Sequence, residues 1–215
     1  ANNNFSVQGT AGTVGGISGS GDVNVNDVVA WNANKLTLSA QNNININARL
    51  NGTASASLAI EYGQGAIALN NTGDYIVNAA VSLAAGDNLS TKLGSDGVAK
   101  DYTVVTDLGQ LSDASVASSG PLTLQGMALS TNLGRNFALG SDINASKTAN
   151  ASDWGSAAGF TSIGTVAGAF TGTFAGLGHT VSDLTINRPG IADIGLIGAA
   201  IGNSVIRDVG LVRGS

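Results

Sequence analysis

The residues able to do chemistry are few and scattered. The chain of 215 residues contains one histidine, His179, one glutamate, Glu61, and no cysteine. A Ser-His-Asp triad would have to be built on His179, but Gly176-Leu177-Gly178-His179 reads as a turn, so the histidine is expected to be structural. One histidine and no cysteine cannot make a multi-histidine or thiolate metal centre, and disulfides are excluded. The aspartates follow no Gly-Gly-x-Gly-x-Asp repeat, which argues against calcium. Gly12-Thr13-Val14-Gly15-Gly16 lacks the lysine and helix of a phosphate loop. The reading is therefore of a chain without metal or cofactor. Asp183 and Asp208 form the one pair to weigh, because the spacing between them also relates Leu184 to Val209. If that spacing is a structural repeat, they lie about 5 Å apart on adjacent repeats, the separation of a retaining glycosidase pair. Against this, each precedes a buried-type residue, Leu184 or Val209, at a strand entry where turn carboxylates are common, and Arg207 adjoins Asp208.

Composition limits what could position such groups. Gly, Asn, Ser and Thr make up about two fifths of the chain, which opposes long helices, while 43% hydrophobic residues oppose disorder. The net charge of −5 with only 11% charged residues makes nucleic acid and anionic membrane poor partners. No window is long and apolar enough to insert in a membrane. The amino-terminal Ala1-Asn2-Asn3-Asn4 has neither an initiator methionine nor the regions of a signal peptide, as expected of a mature fragment, and lack of cysteine suits an exported one. The five Asn-x-Ser/Thr sequons, at Asn51, Asn70, Asn88, Asn144 and Asn150, are close to the number chance predicts.

The elements are strands. Val23-Asn24-Val25-Asn26, Leu36-Thr37-Leu38, Ile44-Asn45-Ile46-Asn47, Leu58-Ala59-Ile60, Ile67-Ala68-Leu69 and Val81-Ser82-Leu83 alternate with period two. They form two interleaved and evenly stepped series, one starting at Val23, Ile44 and Ile67, the other at Leu36, Leu58 and Val81. A repeat that short cannot bury its own apolar side and must stack on copies of itself. The spacing predicts an all-β fold, a right-handed parallel β-helix (solenoid) with coils of about 21 to 25 residues and a few projecting loops. Val23 and Val25 stack on Ile44 and Ile46 inside; Asn24 and Asn26 stack on Asn45 and Asn47 outside, forming amide ladders. A β-sandwich with even spacing is the alternative, and the matched Asn pairs count against it.

Three regions follow: regular repeats over 1–85; an irregular long coil or projecting loop over 86–121, with Tyr102-Thr103-Val104-Val105 as its clear strand; and a continuation over 122–215. Within the last, Gln125 to Leu133 admits a short helix, the loop 146–159 carries Trp154, and one common step relates Leu184 to Val209 and Ile186 to Leu211.

The most specific pattern is Phe170-Thr171-Gly172-Thr173-Phe174-Ala175-Gly176-Leu177-Gly178-His179-Thr180-Val181, then Gly195-Leu196-Ile197-Gly198 and Ile206-Arg207-Asp208-Val209-Gly210-Leu211. It resembles the GLUG motif of bacterial surface proteins, with Gly195, Leu196, Ile197 and Gly198 as the motif itself. The first half, with its Val-Asn-Val-Asn and Asn-Ile-Asn-Ile-Asn runs, resembles filamentous-haemagglutinin-type exoproteins exported by two-partner secretion. The resemblance implies a fragment of the passenger shaft of a secreted or outer-surface adhesin, with a biofilm or virulence role and no catalysis. It also implies an outer-membrane two-partner-secretion transporter, engaged through an amino-terminal domain whose Asn-Pro-Asn motifs are missing here. Expected ligands are a glycan, an exopolysaccharide or a host surface protein. The expected contact residues lie in projecting loops: Ser95, Asp96, Lys100, Asp153 and Trp154. Two alternatives remain open, a polysaccharide-cleaving β-helix using Asp183 and Asp208, and the shaft of a contact-dependent toxin-delivery exoprotein.

Overall fold

The computed structural model describes residues 4–14, 17–117, 119–154 and 158–215. The chain is all-β apart from short 3-10 turns, its strands pair almost entirely in parallel, and it divides into two compact units, residues 1–102 and 103–215.

The first unit contains β1 (Phe5–Gly9), β2 (Ala11–Val14), β3 (Ile17–Ser20), β4 (Val23–Val25), β5 (Val29–Trp31), β6 (Lys35–Ala40), β7 (Ile44–Ile46), β8 (Leu50–Gly52), β9 (Ser57–Tyr62), β10 (Tyr75–Val77), β11 (Val81–Ser82) and β12 (Gly86–Leu93). Three parallel sheets run through it: β4-β7-β10, β5-β8-β11 and β1-β6-β9-β12. The hairpin β2-β3 is antiparallel and forms a sheet of its own. Each repeat gives one strand to each sheet, as a chain must if no repeat can bury its own apolar side. Val23 pairs with Ile44, Val25 with Ile46, Leu36 with Leu58 and Leu38 with Ile60, so apolar side chains stack on apolar side chains. Alternation does the rest: Leu36, Leu38 and Ala40 of β6 are buried while Thr37 and Ser39 are half-exposed.

The first two repeats agree with the expected register, and the third departs from it. Ile44 pairs with Tyr75, and Leu58 with Leu89, both steps longer than the even spacing of the sequence allows. Ile67-Ala68-Leu69 is not a strand of the sheet containing Ile44; Ile67 and Leu69 are 54% and 75% exposed in the long turn between β9 and β10. Its alternation is local, and among the described residues no strand pairs with it. Val81 does not continue the Leu36–Leu58 series either; it pairs with Leu50 in the sheet of β5 and β8. A fixed period merges two sheets that the fold keeps separate. The glycine in β8 has a steric reason: a Cβ on Gly52 would meet the Trp31 ring at 2.9 Å and Leu83 at 2.8 Å, because the indole from the preceding repeat lies across that position.

The second unit begins within β13 (Lys100–Val105) and adds β14 (Phe137–Leu139), β15 (Ile143–Asn144), β16 (Thr173–Ala175), β17 (Thr180–Ser182), β18 (Val205–Arg207) and β19 (Gly210–Val212). Thr103–Val105 pairs with β14, β14 with β16 and β16 with β18; a second parallel sheet has the order β15-β17-β19. The short helix expected over 125–133 is two 3-10 turns, Gln125–Ala128 and Ser130–Asn132. Phe137, Phe170 and Phe174 form a fully buried centre, with Phe137 and Phe170 stacked at 6.4 Å. Between Gly86 and Gly120 lie β12 and β13, where the sequence shows one strand clearly.

Candidate functional site

Asp183 and Asp208 do not stack on one another. Leu211 pairs with Val181 and Val212 with Ser182, so the register that would bring the two aspartates together is incorrect. The residue over Asp183 is Arg213. Both have positive φ, 56° and 53°, at a shared corner, and the Asp183 amide donates to the Val212 carbonyl. The Arg213 guanidinium grips the carboxylate through Nε (2.9 Å) and a terminal nitrogen (3.0 Å), and its hydrogen bonds hold the Asp183 carboxyl below the usual range. Asp208 accepts from Arg207 Nε at 2.7 Å. Each aspartate thus has its own arginine.

His179 is buried, and its Nδ1 lies 3.3 Å from an oxygen of the exposed Asp142. The same oxygen accepts from the Thr180 backbone at 2.8 Å, which is the main cause of a lowered Asp142 pKa; burial opposes the shift and His179 adds to it. A carboxyl with a depressed native pKa contributes stability above its ordinary pKa of about 3.9, and that stability is lost as pH falls through the native value. The Asp142→Asn variant is therefore expected to be less stable than the parent at pH 6, with the gap in urea midpoint narrowing as the pH is taken below the ordinary carboxylate pKa. A gap independent of pH would mean that Asp142 acts by shape alone.

The turn carrying Ser95 and Asp96 is tied down. Ser95 donates through its backbone amide (2.9 Å) and its hydroxyl (3.2 Å) to the Ala66 carbonyl, and Asp96 accepts the Ala68 amide at 2.7 Å, so the turn stacks on the one before it. Lys100 is exposed at the start of β13. Asp153 is exposed and accepts from Asn150 at 3.0 Å. Trp154 is not a surface contact: it is 1% exposed and stacks on Phe160 at 6.2 Å. A large apolar side chain after a polar turn folds back onto the core beside it. Within the loop that carries Trp154, residues 155–157 lie outside the described residues, as do Gly15-Gly16 in the amino-terminal glycine run.

Gly195, Leu196, Ile197 and Gly198 pair and pack against residues 162–164. Leu196 is buried, Ile197 bridges Ile163 in parallel, and the Gly198 amide donates to the Ile163 carbonyl at 2.9 Å. A Cβ on Gly198 would meet the Gly164 carbonyl oxygen at 2.5 Å and that of Asp193 at 2.8 Å. The Ile-Gly shared by 163–164 and 197–198 is a readable sign of this pairing. An open apolar cavity of about 220 Å³ lies beside the motif, between Val181, Leu184, Leu196 and Leu211, and no titratable side chain lines it.

A regular polar surface lies on the first unit. Asn45 Nδ2 donates to Asn24 Oδ1 at 2.9 Å, Asn47 to Asn26 at 3.0 Å, and Asn78 to Asn47 at 2.8 Å. The expected ladders exist, and one climbs a further repeat to Asn78. Asp22, just before β4, accepts from the Ser20 hydroxyl at 2.7 Å and from the Asn42 side chain and Asn43 backbone, bonds that lower its pKa against the opposing effect of burial.

No family model matches the chain, and no solved structure does. A stretch of 80 residues is 39% identical to part of Halomucin from Haloquadratum walsbyi (strain DSM 16790 / HBSQ001). That stretch is 37% of this chain and 1% of the relative, so the chain spans a very small part of the protein it resembles. Among the described residues no group of three or more metal-capable side chains gathers, and no helix is long and apolar enough to cross a membrane.

Proposed function

We propose that this chain is a stretch of right-handed parallel β-helix that serves as the shaft of a secreted or surface-bound bacterial adhesin, exported through an outer-membrane two-partner-secretion transporter, and that it binds glycans without cleaving them. The observation that carries this reading is the like-on-like parallel stacking of successive repeats, with apolar ladders inside and amide ladders outside. Such a stack extends by adding repeats and displays the same polar groups many times. Similarity to a protein named as a mucin fits placement at a cell surface. Asp183 and Asp208 are not in register on successive strands, so they do not form the facing carboxyl pair that a glycosidase uses, which favours binding over hydrolysis. Single-site affinity is weak, on the order of millimolar to high micromolar, and many copies at a surface raise avidity by about 10² to 10⁴.

The test is retention of the purified chain on insoluble polysaccharides, with reducing ends assayed in the same samples. Retention without reducing-end release is expected. Release above the blank that disappears in Asp183→Asn would overturn the non-enzymatic reading.

A further inference from the structure

We propose that the outward face of the β4-β7-β10 sheet is the contact surface for a neutral, extended, β-linked polysaccharide lying along the stack; this rests on the glycan-binding reading above. The outward positions of that sheet and the residues just after it form two columns, Asn24–Asn45–Ile76 and Asn26–Asn47–Asn78. Asn24, Asn26, Asn47 and Asn78 are exposed, and Asn45 and Ile76 half-buried.

An amide has two N–H donors and an oxygen with two lone pairs. The ladder bonds use one donor on Asn45, Asn47 and Asn78 and one lone pair on Asn24, Asn26 and Asn47. Every amide therefore keeps at least one donor and one lone pair beyond those the ladder uses. That is the pairing a sugar hydroxyl requires, since it donates and accepts at once. The ladder bonds also fix each amide before a ligand arrives, so little side-chain freedom is lost on contact. Successive rungs are about 4.8 Å apart, close to the length of one sugar in an extended β-linked chain, so consecutive sugars meet consecutive rungs. Ile76 supplies an apolar neighbour for the C–H face of a ring. The outward sheet positions carry no charge, and the chain as a whole carries a net −5, so a neutral glycan is favoured over an anionic one.

The experiment measures retention of the whole chain on amorphous cellulose, with alginate beads as the anionic comparator. The parent is compared with Asn26→Ala/Asn47→Ala/Asn78→Ala, with the milder Asn47→Thr, and with a chain in which 94–100 is replaced by a glycine-serine turn. Circular dichroism and urea midpoints establish that each variant is folded at the assay temperature. The triple variant is expected to lose at least tenfold in apparent affinity for cellulose. Asn47→Thr, which keeps the strand and one hydroxyl, should lose a smaller but measurable amount and decides the matter if the triple variant unfolds. Retention kept by the asparagine variants but lost on replacing 94–100 would overturn this assignment while leaving the glycan-binding reading in place. A parent that is not retained on cellulose or alginate would overturn both.

Discussion

Ile46→Asp is expected to abolish the cooperative unfolding transition of residues 1–102, a loss of more than about 4 kcal/mol. Ile46 has no exposed surface and lies between Val25 and Val77 in the β4-β7-β10 sheet. A carboxylate there meets apolar side chains above and below, and the strands on either side cannot separate to admit water without losing their own pairing. Asn45→Ala, one residue away on the opposite face, removes one side-chain hydrogen bond at a surface and should cost about 1 kcal/mol. Hydrogen exchange on peptides spanning 23–31, 44–52 and 75–83 reads both: protection should collapse in all three for Ile46→Asp and persist for Asn45→Ala. Equal loss in the two variants would mean that the faces are reversed.

Trp154→Ala should cost about 3 to 5 kcal/mol in the second unit, the range for deleting a large buried aromatic. The indole is buried against Phe160 in the cluster that includes Phe137, Phe170 and Phe174. Its removal leaves a void that the surrounding turns can fill only in part. The urea midpoint of the transition followed by exchange in peptides 137–144 and 170–182 should fall clearly. If the midpoint is unchanged, Trp154 stands at the surface in solution and its role as a contact residue must be reconsidered.

Much of the first unit is legible in the sequence because short strands with strict alternation announce their inside and outside. Val-Asn-Val-Asn over 23–26 and Ile-Asn-Ile-Asn over 44–47 fix both the partner and the register, and the amide ladder follows. The third repeat is hidden because Tyr75-Ile76-Val77-Asn78 keeps only part of that signature, whereas Ile67-Ala68-Leu69 imitates a strand. Alternation reports a local backbone preference; the choice of partner depends on contacts a whole repeat away. In the second unit the steps between paired strands are unequal, Ile143 to Val181 being longer than Val181 to Leu211, so a shared period has little to act on. Trp154 escapes a sequence reading for a related reason: polar neighbours along the chain do not reveal the aromatic cluster that gathers over it in space.

The connections between sheets differ greatly in length while the strands they join stay in register. Ala40 leads to Ile44 through residues 41–43, and Tyr62 leads to Tyr75 through residues 63–74, about four times as far, yet Ile44 still pairs with Tyr75. Each doubling of a flexible connection costs only about 0.6 kcal/mol in closure entropy, so a fourfold difference amounts to about 1.2 kcal/mol. One more buried isoleucine or leucine offsets that. A chain built this way can acquire new segments at its corners by small insertions, one at a time, without retuning the strands beneath. Its corners can therefore change in length at far smaller cost than its strands can change in sequence.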